Sequence, residues 1–339
     1  MSLNAICRNV FGRNAVSRRV WLGMAFATLA QTIARASDVA PGASVRLGIL
    51  QFGTIQWLAD VIRRHHFDAA HDVMLQTVKL ATAEAGRIAL MAGSADIVVS
   101  DWTMVASQRA AGIRLCFAPF SSAVGGIMVG SDTPLRTLGD LKGRKIGVAG
   151  GPLDKSWLIV RAAAQTAHGL DLGSEAQITY GAPPLLNGKM QQGEFDAVLT
   201  YWTFAARLEA AGFRQMLSVA DCARDLGLPG QLDLLGFVFH EDWARQQRSA
   251  IDGFLAAAAA AERLLATSDA EWEAVRPLMD APDDALFSGL KRRFLDGLAH
   301  RSAEEQQRTA EQLFAVLVRT GGTRATGGLS ELPQGIFWR

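Results

Sequence analysis

One stretch of this chain is written twice. Gly93 to Arg114 reads G-S-A-D-I-V-V-S-D-W-T-M-V-A-S-Q-R-A-A-G-I-R, and one hundred residues later Gly193 to Arg214 reads G-E-F-D-A-V-L-T-Y-W-T-F-A-A-R-L-E-A-A-G-F-R, with ten of 22 positions identical. Each copy holds an apolar run (Ile97-Val98-Val99, Ala197-Val198-Leu199), a small hydroxyl (Ser100, Thr200), a Trp-Thr pair and a helix-length segment closing at Ala-Ala-Gly. A short apolar run without alternation suits a strand buried on both faces, as in a parallel sheet. A second matched pair lies upstream: Leu47-Gly48-Ile49 followed by Trp57-Leu58, and Ile146-Gly147-Val148 followed by Trp157-Leu158. Two motifs repeated in one order predict two similar α/β lobes whose strand ends face each other across a cleft.

Ligands of open parallel sheets bind outside the carboxyl ends of the strands. The residues at those ends are therefore the candidate contacts. On the first copy they are Ser100, Asp101 and Trp102; on the second, Thr200, Tyr201 and Trp202. The loop after the first strand adds Gln51, Phe52 and Thr54, and Ser121 closes a further strand over Leu115–Ala118. Gly150-Gly151-Pro152-Leu153-Asp154-Lys155-Ser156-Trp157 follows the strand at Ile146. Its glycines let backbone amides approach a ligand, and the N–H groups and dipole of the following helix favour an anion, with Lys155 adding charge. Asp154 points the other way, either capping the helix or binding an amine; an ordinary strand-to-helix turn is the alternative. Trp57, Trp102, Trp157 and Trp202 stand at matched positions and are expected to wall the cleft, with core packing as the competing role.

The 339 residues allow about two domains, and the near-neutral charge of +1, with no basic face, argues against a nucleic-acid partner. Residues 1–36 carry Arg8, Arg13, Arg18, Arg19 and Arg35 but no acid, then an apolar run from Val20 to Ala30 that is too short to span a bilayer, which takes about 20 residues. Ala34-Arg35-Ala36 supplies a small-x-small cleavage site and Ser17-Arg18-Arg19-Val20-Trp21-Leu22 resembles a twin-arginine motif, so the segment reads as an export signal cleaved after Ala36, by the Sec or the twin-arginine route. Cys7 leaves with it. Cys116 and Cys222 sit beside different repeats and are expected to be buried free thiols rather than a disulfide. The crowding of Arg63, Arg64, His65 and His66 suits a helix C-terminus better than a metal site.

Gly125 to Gly130 and Leu232 to Phe239 read as extended segments crossing between the lobes, the first bracketed by glycines that permit close backbone approach. Helices are expected over Ala244–Leu265, Glu271–Met279, Asp284–His300 and Ala303–Thr320, with no assignment for the tail.

At Asp140-Leu141-Lys142-Gly143-Arg144-Lys145-Ile146-Gly147-Val148 the chain resembles the type II solute-binding proteins of ABC importers, and more narrowly their nitrate, taurine and alkanesulfonate group, which also holds binders of thiamine-pyrimidine precursors. The likeness runs from Val45 to about Thr267 and takes in both Gly-x-x-Asp elements. It implies an α/β fold of two lobes with mixed sheets, joined by two crossover strands and followed by C-terminal helices. The lobes would be 45–124 with 234–339, and 125–233. The implied function is capture of a small, anionic organic solute of sulfonate, taurine or nitrate type. The protein would be a monomer in the periplasm, working with an inner-membrane permease and without a cofactor, and would not be an enzyme. The alternatives are a thiamine-pyrimidine-synthase-like enzyme on the same fold, though the cysteine-rich iron motif of those enzymes is missing here, and an accessory protein that kept the fold without transport. Periplasmic extract is expected to yield a mature N-terminus at or near Ser37 by mass spectrometry; full-length chain confined to the cytoplasm would overturn the export reading.

Overall fold

The computed structural model describes residues 42–50, 53–298 and 302–339; residues 1–36, expected to be an export signal, and Gln51 and Phe52 lie outside the described residues. From Gly42 the chain runs β1 (Ala43–Leu50), α1 (Ile55–Arg64), α2 (Phe67–Ala70), β2 (Val73–Leu80), α3 (Ala83–Met91), β3 (Ile97–Asp101), α4 (Trp102–Ala110) and β4 (Leu115–Ser121). It continues through β5 (Gly126–Val129), β6 (Lys145–Ala149), α5 (Lys155–His168), α6 (Leu172–Glu175), β7 (Gln177–Gly181), α7 (Pro183–Gln191), β8 (Ala197–Thr200), α8 (Trp202–Ala210), β9 (Arg214–Ser218) and α9 (Val219–Asp225). The last part holds β10 (Leu235–His240), α10 (Glu241–Gln246), α11 (Arg248–Thr267), α12 (Asp269–Val275), α13 (Asp284–Asp296) and α14 (Ala303–Gly321).

Two five-stranded mixed sheets result, with orders β2-β1-β3-β10-β4 and β7-β6-β8-β5-β9. They are the same arrangement twice. The matched sequence pairs are neighbouring strands in each: Gly48 stands opposite Val98, and Gly147 opposite Val198, both parallel. The Gly-x-x-Asp element explains this register. Gly93 and Gly193 take φ of 65° and 76° after their helices, a left-handed turn that glycine adopts without a Cβ penalty. Three residues on, the Asp96 carboxylate accepts the Arg46 N–H at 2.8 Å while the Asp96 N–H donates to Arg46 C=O at 2.9 Å. Asp196 makes the same two bonds with Lys145, at 2.8 and 2.9 Å. Each aspartate thus fixes where the central strand begins relative to its neighbour.

The chain passes between the sheets twice, at Ser121–Gly126 and between α9 and β10. Both arriving strands run antiparallel to their neighbours: β5 lies between β8 and β9, and β10 between β3 and β4. A Cβ on Gly125 would come 1.7 Å from the Thr200 carbonyl oxygen, and one on Gly236 would come 2.4 Å from that of Ala118. Close contact leaves no room for a side chain at Gly125 in the first crossing or at Gly236 just inside β10.

The C-terminal helices touch both halves. Helix α14 packs on α5 and sends Leu313, Phe314 and Leu317 into a core that also holds Trp102, Phe117, Val148 and Trp157. Helix α13 packs on α8, where the Arg293 guanidinium donates to Glu209 Oε1 at 2.6 Å and to Gln215 Oε1 at 3.0 Å. It stops at Asp296 rather than running to His300, because Gly297 abuts the first crossing: its added Cβ would meet Ala123 at 2.4 Å, and its carbonyl accepts the Ser122 N–H at 2.7 Å. The segment expected as one helix from Ala244 is two, broken at Gln247, whose carbonyl starts α11 by accepting the N–H groups of Ala250 and Ile251. The unassigned tail covers the edge of β4, with Phe117 N–H donating to Ile336 C=O at 2.7 Å and Trp338 N–H to Phe117 C=O at 2.9 Å. Edge strands β7 and β9 carry no continuous buried apolar run, so hydropathy does not mark them.

Gly125→Ala is expected to lower stability by about 2 kcal/mol or more, because the crossing backbone must move off Thr200. Gly130→Ala, with nothing within 4 Å of its added Cβ, is expected to change it by less than about 0.5 kcal/mol. Urea unfolding midpoints of the two variants check this, and equal midpoints would remove the constraint.

Candidate functional site

A cavity of about 420 Å³ lies where the carboxyl ends of the central strands of the two sheets meet. The first half contributes Leu50, Thr54 and Ile55 after β1, Leu80 from β2, Val98 to Asp101 from β3, and Phe120 and Ser121 from β4. The second half contributes Asp154, Lys155 and Ser156 at the start of α5, and Tyr201, Trp202 and Thr203 at the start of α8. The crossings add Ala123, Val124, Gly125, Leu234 and Leu235. Most of this lining is apolar, and sequence reasoning named none of Leu50, Ile55, Leu80, Phe120, Val124, Leu234 and Leu235. Their signal was available: each is an apolar residue at or just beyond a strand end that the crossings and helix starts leave partly uncovered.

Charge is concentrated at one place. Lys155 Nζ donates to Asp101 Oδ2 at 3.1 Å, joining the two halves, and each side chain is 25% exposed. Asp101 also caps α4, its Oδ1 accepting the Met104 N–H at 3.0 Å and the Thr103 hydroxyl. Burial works against ionisation of Asp101, but the Lys155 ammonium and these hydrogen bonds outweigh it and hold the carboxyl below its usual range. Asp154 caps α5: its Oδ1 accepts the N–H groups of Ser156 at 2.9 Å and Trp157 at 3.2 Å, and its Oδ2 accepts the Tyr201 hydroxyl at 3.3 Å. Burial dominates there and pushes the Asp154 carboxyl upward; burial, with the neighbouring Asp154 charge, also raises the Tyr201 phenol. Gly150, at φ 88°, brings these groups together, since a Cβ there would stand 3.0 Å from both Asp154 Oδ2 and the Tyr201 hydroxyl.

Several expectations need correction. Lys155 is not a free cation, because Asp101 of the opposite half occupies it. The start of α5 is not free for an anion either, since Asp154 takes its first N–H groups. The tryptophans do not wall the cleft as a set of four. Trp57, Trp102 and Trp157 are buried and none lines the cavity. Trp57 Nε1 donates to Leu278 C=O at 3.1 Å and its ring meets Trp202, Trp272 and Phe294. Trp102 packs on Phe314, and Trp157 Nε1 donates to the Tyr180 hydroxyl at 3.1 Å. Only Trp202 reaches the cavity. Thr200 is buried beneath the first crossing and Gly151 lies outside the lining. Thr54, Ser100, Asp101, Ser121, Asp154, Lys155, Ser156, Tyr201 and Trp202 are brought together.

A second cavity, of about 500 Å³, lies behind Trp202 along the crossings. Its arginines are already engaged, Arg293 by Glu209 and Arg224 by Asp221. Cys116 and Cys222 are unpaired and line neither cavity; burial raises their thiols to about 11 and about 12.

A family model described as NMT1/THI5 like matches residues 71–268. No curated protein matches the chain. Among solved structures, the fold is similar to that of the periplasmic aliphatic sulphonate binding protein SsuA from Escherichia coli, with TM-score 0.64 and 20% identity over 87% of this chain and 94% of that one. The alkanesulfonate-binding protein SsuA from Xanthomonas axonopodis pv. citri bound to MOPS gives TM-score 0.60 and 20% identity, covering 84% and 98%. The desulfurization enzyme DSZB gives TM-score 0.57 and 14% identity, covering 82% and 92%. The similar structures are mostly solute-binding proteins of ABC importers, and at these identities the likeness shows the fold.

The interlobe pair makes a titration prediction. With Lys155→Met, Asp101 keeps its burial and loses its ammonium, so its carboxyl should titrate higher than in the parent, read by NMR of the side-chain carbonyl. In the parent, the contribution of Asp101 to stability is present above the ordinary carboxylate range and lost as pH falls through its depressed value. Identical titration in both proteins would show that Lys155 does not hold Asp101.

Proposed function

The chain belongs to the NMT1/THI5-like family, and we propose that it is the periplasmic solute-binding component of an ABC importer, capturing a small organic solute between its two halves. The observation that carries this reading is the cavity of about 420 Å³ at the strand ends, built from both sheets and left open by the side chains of the chain itself. An accessory protein that had given up its ligand would be expected to fill that space. Two crossings beside the cavity suit a hinge about which the halves close on a solute, with domain boundaries near residues 125 and 233 and delivery to an inner-membrane permease. Export through the segment at 1–36 agrees with the periplasmic location of the Escherichia coli sulphonate binding protein.

The solute would contact Thr54, Ser100, Ser121, Ser156 and Tyr201 through its polar atoms and lie against Trp202 and Phe120. Walls of this kind suit an organic body: one aromatic side chain buries about 150–250 Å², far more than a nitrate ion could use. The sulfonate-type anion expected from the sequence is supported by the names of two fold neighbours. The charges of the cavity support it less, because Lys155 is already paired.

The fold neighbour DSZB is an enzyme, and one experiment separates the two classes. Native mass spectrometry of protein purified from its own host is expected to show a small molecule bound one to one and released unchanged on denaturation. Release of a chemically altered molecule would move the protein to the enzymes. Absence of any bound solute, with no change in tryptophan emission across a panel of small organic compounds, would overturn the binding reading.

A further inference from the structure

We infer that the solute carries a protonated nitrogen, an amine or amidine, which docks on Asp154 while its apolar body lies against Trp202 and Phe120. The inference rests on the solute-binding reading and names the class of solute. Among the described residues, the charged groups that line the cavity are Asp101, Asp154 and Lys155, so two carboxylates face one ammonium and the cavity is negative by one charge. No arginine or histidine lines it among the described residues.

The Lys155 ammonium acts on both carboxylates but bonds only Asp101, so the hydrogen bonding decides which carboxylate oxygen stays available. Asp101 uses Oδ1 on Met104 and Thr103 and Oδ2 on Lys155. Asp154 uses Oδ1 on two backbone N–H groups, but its Oδ2 has only the Tyr201 hydroxyl at 3.3 Å, a long bond for an O–H donor, whose usual range is about 2.5–3.0 Å. Oδ2 therefore keeps room for a cationic donor, and a charge-assisted bond of that kind is roughly twice as strong as a neutral one. An anionic head meets the reverse situation. Lys155 keeps N–H donors beyond the one it gives Asp101, but its charge is already balanced there and the second carboxylate, Asp154, lines the same cavity. The start of α8 has no side-chain cap, so its first backbone N–H groups can take an acceptor atom elsewhere on the same solute without supplying a full charge.

The test is calorimetry with two compounds of matched body, benzylamine and benzenesulfonate, on the parent and on Asp154→Asn. Asparagine caps a helix about as well as aspartate, so the variant keeps α5 and loses only the charge; unchanged thermal unfolding checks that. Benzylamine is expected to bind at least tenfold tighter than benzenesulfonate, and Asp154→Asn to weaken it about tenfold. Tighter binding of benzenesulfonate would overturn the inference and leave the solute-binding reading standing. Benzylamine binding that ignores Asp154→Asn would overturn the assignment to Asp154. If neither compound binds while a solute co-purifies from the host, the inference fails alone; if neither binds and nothing co-purifies, both readings fail.

Discussion

The chain enters each sheet from the other at a point with no room for a side chain, Gly125 just before β5 and Gly236 just inside β10. Gly125 passes over the Thr200 carbonyl and Gly236 over that of Ala118. Each crossing delivers a strand that hydrogen-bonds on both sides within the sheet it enters, so neither half can complete its sheet from its own continuous segment. The cleft inherits its position from this, since Ala123 to Gly125 and Leu234 to Leu235 form its floor. Gly297, at the end of α13, rests on Ala123 of the first crossing, and α14 shares a core with both halves. Any rotation of one half against the other would have to be absorbed near the crossings and would also strain α13 and α14, which hold contacts with both halves.

The architecture was legible because the repeat carries backbone instructions. Glycine at positive φ and aspartate three residues later are needed wherever a helix ends and the next strand must enter in register, and the chain states both twice. The chemistry of the cleft was less legible because equivalent sequence does not mean equivalent surroundings. A large side chain in the first turn of a helix leans back over the preceding turn, and at the start of α4 that direction leads into a closed core under Phe314. At the start of α8 the corresponding Trp202 meets Trp57 of the other half beside the crossings, where space remains. Nothing local distinguishes the two tryptophans. The difference comes from α14 and α13, some two hundred and one hundred residues downstream.

The same limit applied to Lys155. Read locally, a lysine after two glycines and before a helix is a cation waiting for an anion. Its partner lies 54 residues earlier on the opposite sheet, and a contact between halves has no local signature. Asp154 was readable in kind, because an acidic residue at a helix start is either a cap or a ligand contact. The structure shows it capping with one oxygen and leaving the other facing the cavity with a single long bond.

Beneath the repeated backbone the site is chemically lopsided, and this follows from three pairs of equivalent positions. Counting back three residues from each of Trp57 and Trp157 makes Thr54 equivalent to Asp154 and Ile55 to Lys155, while the repeat makes Asp101 equivalent to Tyr201. A symmetric molecule would close its cleft with two ion pairs, one at each side. Here the Asp101 to Lys155 side is closed by one, while on the other side Ile55 stands where the cation would be and Tyr201 where its carboxylate would be. With no charge to reach for across the cleft, the Tyr201 hydroxyl turns to Asp154 of its own half. One side of the cavity is thus polar and spoken for, and the other is aliphatic and aromatic with a carboxylate oxygen at its edge. A solute that is complementary to both the shape and the charge of this space has its apolar body on the Ile55 side and its donor group directed at Asp154.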